Sequence, residues 1–117
     1  MSRPTKKAAK PPPLEKSVRV FAALGDETRL KIVATLCVGG AMSITQLTAG
    51  TQLTRQGVSK HLAVLHHVGL VRDAKVGRER LWEFEPNRLD DARRSLEMIA
   101  MQWDRALERL RVAVESP

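Results

Sequence analysis

Residues Ser43 to Gly69 read SITQLTAGTQLTRQGVSKHLAVLHHVG, and this stretch decides the fold. Ser43 is a candidate N-cap, and Ile44 and Leu47 lie three apart behind it, so a short helix is expected from Ser43 to Ala49. Gly50 is expected to close that helix in a left-handed conformation. After a four-residue turn, Thr54 offers a second N-cap, and the helix that it opens should run to about Val68 before Gly69 stops it. At 3.6 residues per turn, Val58, Leu62, Leu65 and Val68 gather on one side, the expected buried face. Gln56, Ser59, Lys60, Ala63 and His67 lie opposite. That face carries small and hydrogen-bonding side chains and no large hydrophobe, as a helix needs if it is to enter the major groove and touch base edges. Arg55, in the first turn beside Thr54, is placed for a phosphate or a guanine.

Beyond Gly69 the pattern shifts towards period 2. Residues 70–84 predict a β-hairpin, with Gly77 permitting a tight turn. Trp82 and Phe84 fall on one face and can pack on the helices, while Lys75, Arg78 and Arg80 crowd the tip. A basic tip beside such a helix is a wing, suited to the DNA backbone or the minor groove.

Three segments, Phe21–Val33 (FAALGDETRLKIV), Val58–Leu65 (VSKHLAVL) and Gly69-Leu70-Val71, together with the Gly77-Arg78 wing, resemble the ArsR/SmtB family of winged-helix transcriptional regulators. The resemblance extends from about Leu14 to Val114. It implies a mainly α fold with a small β-hairpin, a winged helix-turn-helix dimerising through its terminal helices. It also implies a homodimeric bacterial repressor of operator DNA, released by an effector that is usually a metal or a redox species. Family members that bind metal carry cysteines near the start of the helix corresponding to Ser43–Ala49, or His and acidic ligands on the last helix. Neither set is present here. His61, His66 and His67 are spaced five and one apart, so no two form an i, i+4 pair. The expectation is therefore no metal site and no cofactor, with the effector unidentified. His61 borders the apolar stripe as a partly buried histidine, and His66 and His67 face solvent or phosphate.

The 117 residues suit one domain and carry a formal charge of +7. Residues 1–13 contribute +4 and residues 54–82 another +4, whereas residues 83–117 sum to −2. Positive charge concentrated in this way favours a polyanionic partner, double-stranded DNA. No apolar run reaches the roughly 20 residues of a membrane span, and no signal-peptide core opens the chain. One cysteine allows no internal disulfide, so the cytoplasm is the simplest address.

Residues 1–13 combine Arg3, Lys6, Lys7 and Lys10 with four prolines and read as a disordered basic arm, either a DNA-contacting arm or a solubilising tail. Residues 14–117 form the winged-helix domain. Leu14–Leu24 places Val18, Phe21 and Ala22 together at helical spacing. Asp26 caps the next helix, whose inner stripe is expected to be Leu30, Val33, Leu36 and Cys37, with Gly39-Gly40 ending it. On that stripe Cys37 reads as a small hydrophobe, against the alternative of a sensor thiol.

The last helix is expected over about 90–115, roughly 39 Å long. Leu89, Leu96, Trp103 and Leu110 repeat by sevens, as do Ala92, Ile99, Ala106 and Ala113, which makes a coiled-coil-like seam. Asp90 with Arg94, Arg93 with Glu97 and Arg111 with Glu115 can pair along its outside. Leu96, Ile99, Trp103, Leu107 and Leu110 outrun the domain that they could cover. The expected dimer interface is therefore Val18, Phe21, Leu89, Leu96, Ile99, Trp103, Leu107 and Leu110.

No residue set points to catalysis: there is no Gly-rich phosphate loop and no tyrosine. The function expected is sequence-specific binding to an inverted-repeat operator. Two rivals stay open, a protein-interaction module using the heptad helix and a nucleoid-type protein that binds DNA without regard to sequence.

Overall fold

A computed structural model describes residues 14–116. Five helices and one hairpin follow in the order α1 (Leu14–Leu24), α2 (Glu27–Gly39), α3 (Ile44–Ala49), α4 (Arg55–His67), β1 (Val71–Val76), β2 (Glu79–Phe84) and α5 (Pro86–Glu115). The expected basic arm, 1–13, lies outside the described residues.

The caps are those that the side chains dictate. Asp26 accepts from the Arg29 backbone N–H at 3.0 Å, and Thr54 Oγ1 accepts from the Gly57 N–H at 3.0 Å. Ser43 and Gln46 form a reciprocal capping box at the start of α3. Gly50 departs from expectation: its φ is −91°, so α3 ends without a left-handed residue. Among the described residues the positive-φ positions are Gly40, Gly69 and Gly77.

Val58, Leu62 and Leu65 of α4 are fully buried, and with Leu36, Leu47, Leu70 and Val71 they form the centre of the core. Val68 is half-buried at its edge. In α2 the inner stripe is Ile32, Val33 and Leu36 instead. Leu30 is 52% exposed and Cys37 is exposed, so the stripe is rotated by roughly 60° from the expected one. The reason lies in the composition of α2. Leu30, Ile32, Val33, Ala34, Leu36, Cys37 and Val38 run almost all the way round the helix, so spacing alone does not select the buried side.

β1 and β2 pair antiparallel from Val71↔Phe84 to Val76↔Glu79, leaving Gly77 and Arg78 as a two-residue loop. Positive φ at Gly77 alone is the pattern of a type II′ turn. Trp82 exchanges both backbone hydrogen bonds with Met42, at 2.7 and 2.8 Å, which fastens the hairpin to the segment leading into α3.

α5 begins four residues earlier than expected. Glu85 caps it by accepting from the Asn87 N–H, and Pro86 occupies the first turn, where its missing N–H costs nothing. The helix is 30 residues long, about 45 Å. Arg94 pairs with Asp91 at 2.9 Å rather than with Asp90, whose partner is Arg93. The expected pairs Arg93–Glu97 and Arg111–Glu115 are present. Ala92 and Ser95 bury the near end of α5 against α1, whose inner face is Ser17, Val20 and Ala23. Leu89, expected at a dimer contact, packs partly buried against this same protomer core. Among the described residues no helix is long and apolar enough to cross a membrane.

Candidate nucleic-acid interface

The two polar side chains that open α4 are held by local bonds. Thr54 is used as the cap, and Arg55 reaches back to Thr45 Oγ1 at 3.3 Å, linking α4 to α3. Beyond them Gln56, Ser59, Lys60, Ala63 and His67 are all exposed along one face, opposite Val58, Leu62 and Leu65. Ile44, Arg55, Gln56, Ser59 and Lys60 line a shallow groove between α3 and α4. The face expected from spacing is thus a continuous polar surface that the core does not use.

A cluster at the back of α4 fixes its orientation. Arg29 donates from Nε to the Ala23 carbonyl at 2.7 Å and places Nη1 3.4 Å from His61 Nδ1. Asp26 Oδ2 stands 3.9 Å from the same imidazole nitrogen. The Arg29 backbone N–H holds the Asp26 carboxyl below its usual range, with further help from the Arg29 charge and from the neighbouring His61 ring, while burial acts in the opposite sense. His61 is half-buried, as its position beside the apolar stripe implied. The chain between α1 and α2 is therefore tied to the middle of α4. No local pattern marks Arg29, because the contact joins residues 32 apart.

The three cations expected at the wing do not share one environment. Arg80 donates to Asp73 at 2.9 Å, and its guanidinium carbon lies 4.9 Å from the Trp82 ring centroid. Lys75 and Arg78 have no ion-pair partner among the described residues and stand exposed beside the turn. Arg72 is absorbed by Glu83 and Glu85 across the foot of the hairpin. His66 is exposed and meets Trp82 edge-on, with centroids 5.9 Å apart.

The dimer-interface candidates divide. Leu96, Ile99, Trp103, Leu107 and Leu110 are 44–62% exposed along α5, and Val18 on α1 is 59% exposed. Phe21 is half-buried against the protomer core. Among the described residues no three His, Cys, Asp or Glu side chains stand close enough to hold a metal ion.

A family model described as a helix-turn-helix domain matches residues 24–74, the span from the end of α1 into β1. An HTH-type transcriptional regulator of Mycobacterium tuberculosis is 35% identical over 89 residues, covering 76% of this chain and 79% of that protein. The arsenical resistance operon repressor of Escherichia coli is 36% identical over 61 residues, 52% of each chain. Among solved structures, an ArsR-like transcriptional regulator from Rhodococcus sp. RHA1 aligns with a TM-score of 0.78 at 36% identity, over 89% of this chain and 97% of that one. On this similarity in sequence and fold, the chain belongs to the ArsR family of winged helix-turn-helix, DNA-binding transcriptional regulators.

Proposed function

We propose that the protein is a cytoplasmic homodimeric repressor that reads an inverted-repeat operator with α4. The observation that carries the reading is the outward face of α4, where Gln56, Ser59 and Lys60 stand exposed with no role in the core. Gln can bond an adenine edge in bidentate fashion, Ser can bond several bases, and Lys can reach guanine O6 and N7. Thr54, Arg55 and His67 at the two ends of the helix, with Lys75 and Arg78 on the wing, supply backbone contacts that set the register. Arg80 adds charge at the wing while shaping it through Asp73 and Trp82.

The exposed stripe of α5 supports the dimer. The described residues leave this distal apolar stripe exposed, and a second copy would bury it against the same stripe and Val18. Two α4 helices held about 34 Å apart would then meet successive major grooves. The Escherichia coli relative, named as a repressor, supports repression as the outcome.

Selection of bound sequences from a random DNA pool, paired with sedimentation of the protein, tests the reading. The expected result is an inverted repeat bound by a dimer. Tight binding without sequence preference would make this a nucleoid-type protein, and no DNA binding at all would leave the interaction module.

A further inference from the structure

Behind the far end of α4 lies a pocket of about 210 Å³, walled by Lys16 and Arg19 of α1, His66 and His67 of α4, and Arg88 of α5, with Gly69 at its floor. Three full cations and two imidazoles share it, and none of its lining residues is acidic. Asp91 stands 3.8 Å from Arg88 Nη1 and is already engaged by Arg94 at 2.9 Å. Lys16 and Arg19 have no ion-pair partner among the described residues. Gly69 has φ +83°, and a Cβ there would fall 2.8 Å from Arg88 Cγ. The glycine thus lets the arginine stem lie across the end of the helix and hold its guanidinium at the pocket. The C-terminal dipole of α4, worth about half a charge, accounts for one neighbouring cation but not for three around one concavity. Such a cluster favours an oxyanion, and phosphate matches the guanidinium donors.

The position of the pocket selects the source of that phosphate. His67 shares the outward face of α4 with Gln56 and Ser59. Gln56 and His67 lie eleven helical steps apart, about 16 Å along the axis. The major groove is only about 12 Å wide. A helix that reads bases near Gln56 while crossing the groove brings its His67 end to the opposite wall, where backbone phosphates run. On α1, Lys16 and Arg19 lie roughly 150° around the helix from Leu14 and Val18, so the apolar stripe offered to a second copy leaves the pocket open.

We propose that this pocket receives a backbone phosphodiester of the bound DNA and anchors the far end of α4. The proposal rests on the operator reading above. The test is DNA affinity of the full chain over a salt series, on operator and on random duplex. Lys16→Gln combined with Arg19→Gln should weaken both by roughly five-fold at 0.15 M salt and flatten the salt slope by about one unit. Arg88→Gln should act in the same direction. Arg105→Gln combined with Arg109→Gln removes the same charge from the distal half of α5 and should leave the slope unchanged.

Equal losses for the two double variants would reduce the pocket to a share of net charge and overturn the proposal. So would an unchanged slope in the pocket variant when it has lost a saturable affinity for inorganic phosphate that the parent shows, because the pocket would then serve a free anion. If the parent protein itself shows no sequence preference, the operator reading fails instead. Preference retained with an unchanged slope in the pocket variants defeats this proposal alone.

Discussion

The hydroxyls of Ser17 and Ser95 meet at 2.8 Å, each residue only 2% exposed, and join α1 to α5 across 78 residues of chain. With Ala92 beside them they keep the contact between the two helices small and close. A buried hydroxyl that loses its partner costs about 1–3 kcal/mol, whereas removing both partners costs less than two such losses. Ser95→Ala should therefore lower stability by about 1–3 kcal/mol, and adding Ser17→Ala should cost less than Ser17→Ala does alone. Urea unfolding of the four proteins in the cycle checks this, and strictly additive losses would deny the bond any role.

Base reading and backbone anchoring separate by substitution. Gln56→Ala or Ser59→Ala should cost about 1–3 kcal/mol on the operator and much less on random DNA. Arg78→Ala should weaken both and reduce the salt slope by about one unit. Arg80→Ala should change the slope less than Arg78→Ala does, because Asp73 and Trp82 already engage the Arg80 guanidinium. Equal slopes for the two arginine variants would mean that the Asp73 pair opens on DNA.

Trp103 is 62% exposed in the protomer and sits in the middle of the seven-residue repeat. Truncating an aromatic side chain in a packed site costs about 3–5 kcal/mol. In a dimer that loss emerges as dissociation, because association and folding share the buried surface. Trp103→Ala should lower operator affinity more than any single base contact does. Sedimentation at micromolar concentration decides the matter: a persistent dimer with operator binding intact would put Trp103 outside the interface.

Asp26 gives a pH-dependent test. Its carboxyl is held below the ordinary value in the fold, so the ionised form stabilises the native state. That contribution is complete above the ordinary aspartate pKa and is lost as pH falls through the lowered one. Asp26→Asn keeps a good N-cap but cannot ionise. The stability gap between the parent and Asp26→Asn should therefore be widest near about pH 6 and narrow towards about pH 3. Urea midpoints at the two pH values measure it, and a constant gap would remove charge from the account.

What could be read directly from the sequence was local. The two sides of α4 separate cleanly because its apolar residues keep one spacing, and Gly77 marks the hairpin turn because that site needs positive φ. Spacing misplaces the inner side of α2, with Cys37 inside, since apolar residues surround that helix. α5 starts four residues before the seven-residue repeat indicates, at the helix-start signal that Glu85-Pro86 carries. Contacts made by tertiary packing left no pattern at all. Ser17 and Ser95 look like surface serines, and the cations of the pocket come from positions 16, 19 and 88.

The chain has no tyrosine and two tryptophans, placed in opposite surroundings. Trp82 is 6% exposed at the joint of the wing, with the His66 ring at its edge and the Arg80 guanidinium stacked on it. Trp103 stands in solvent on the far half of α5. Ultraviolet emission from the unlabelled protein therefore contains two separable signals. The blue component should follow the wing, and the red component should follow the exposed ring of α5 and shift when that ring is covered.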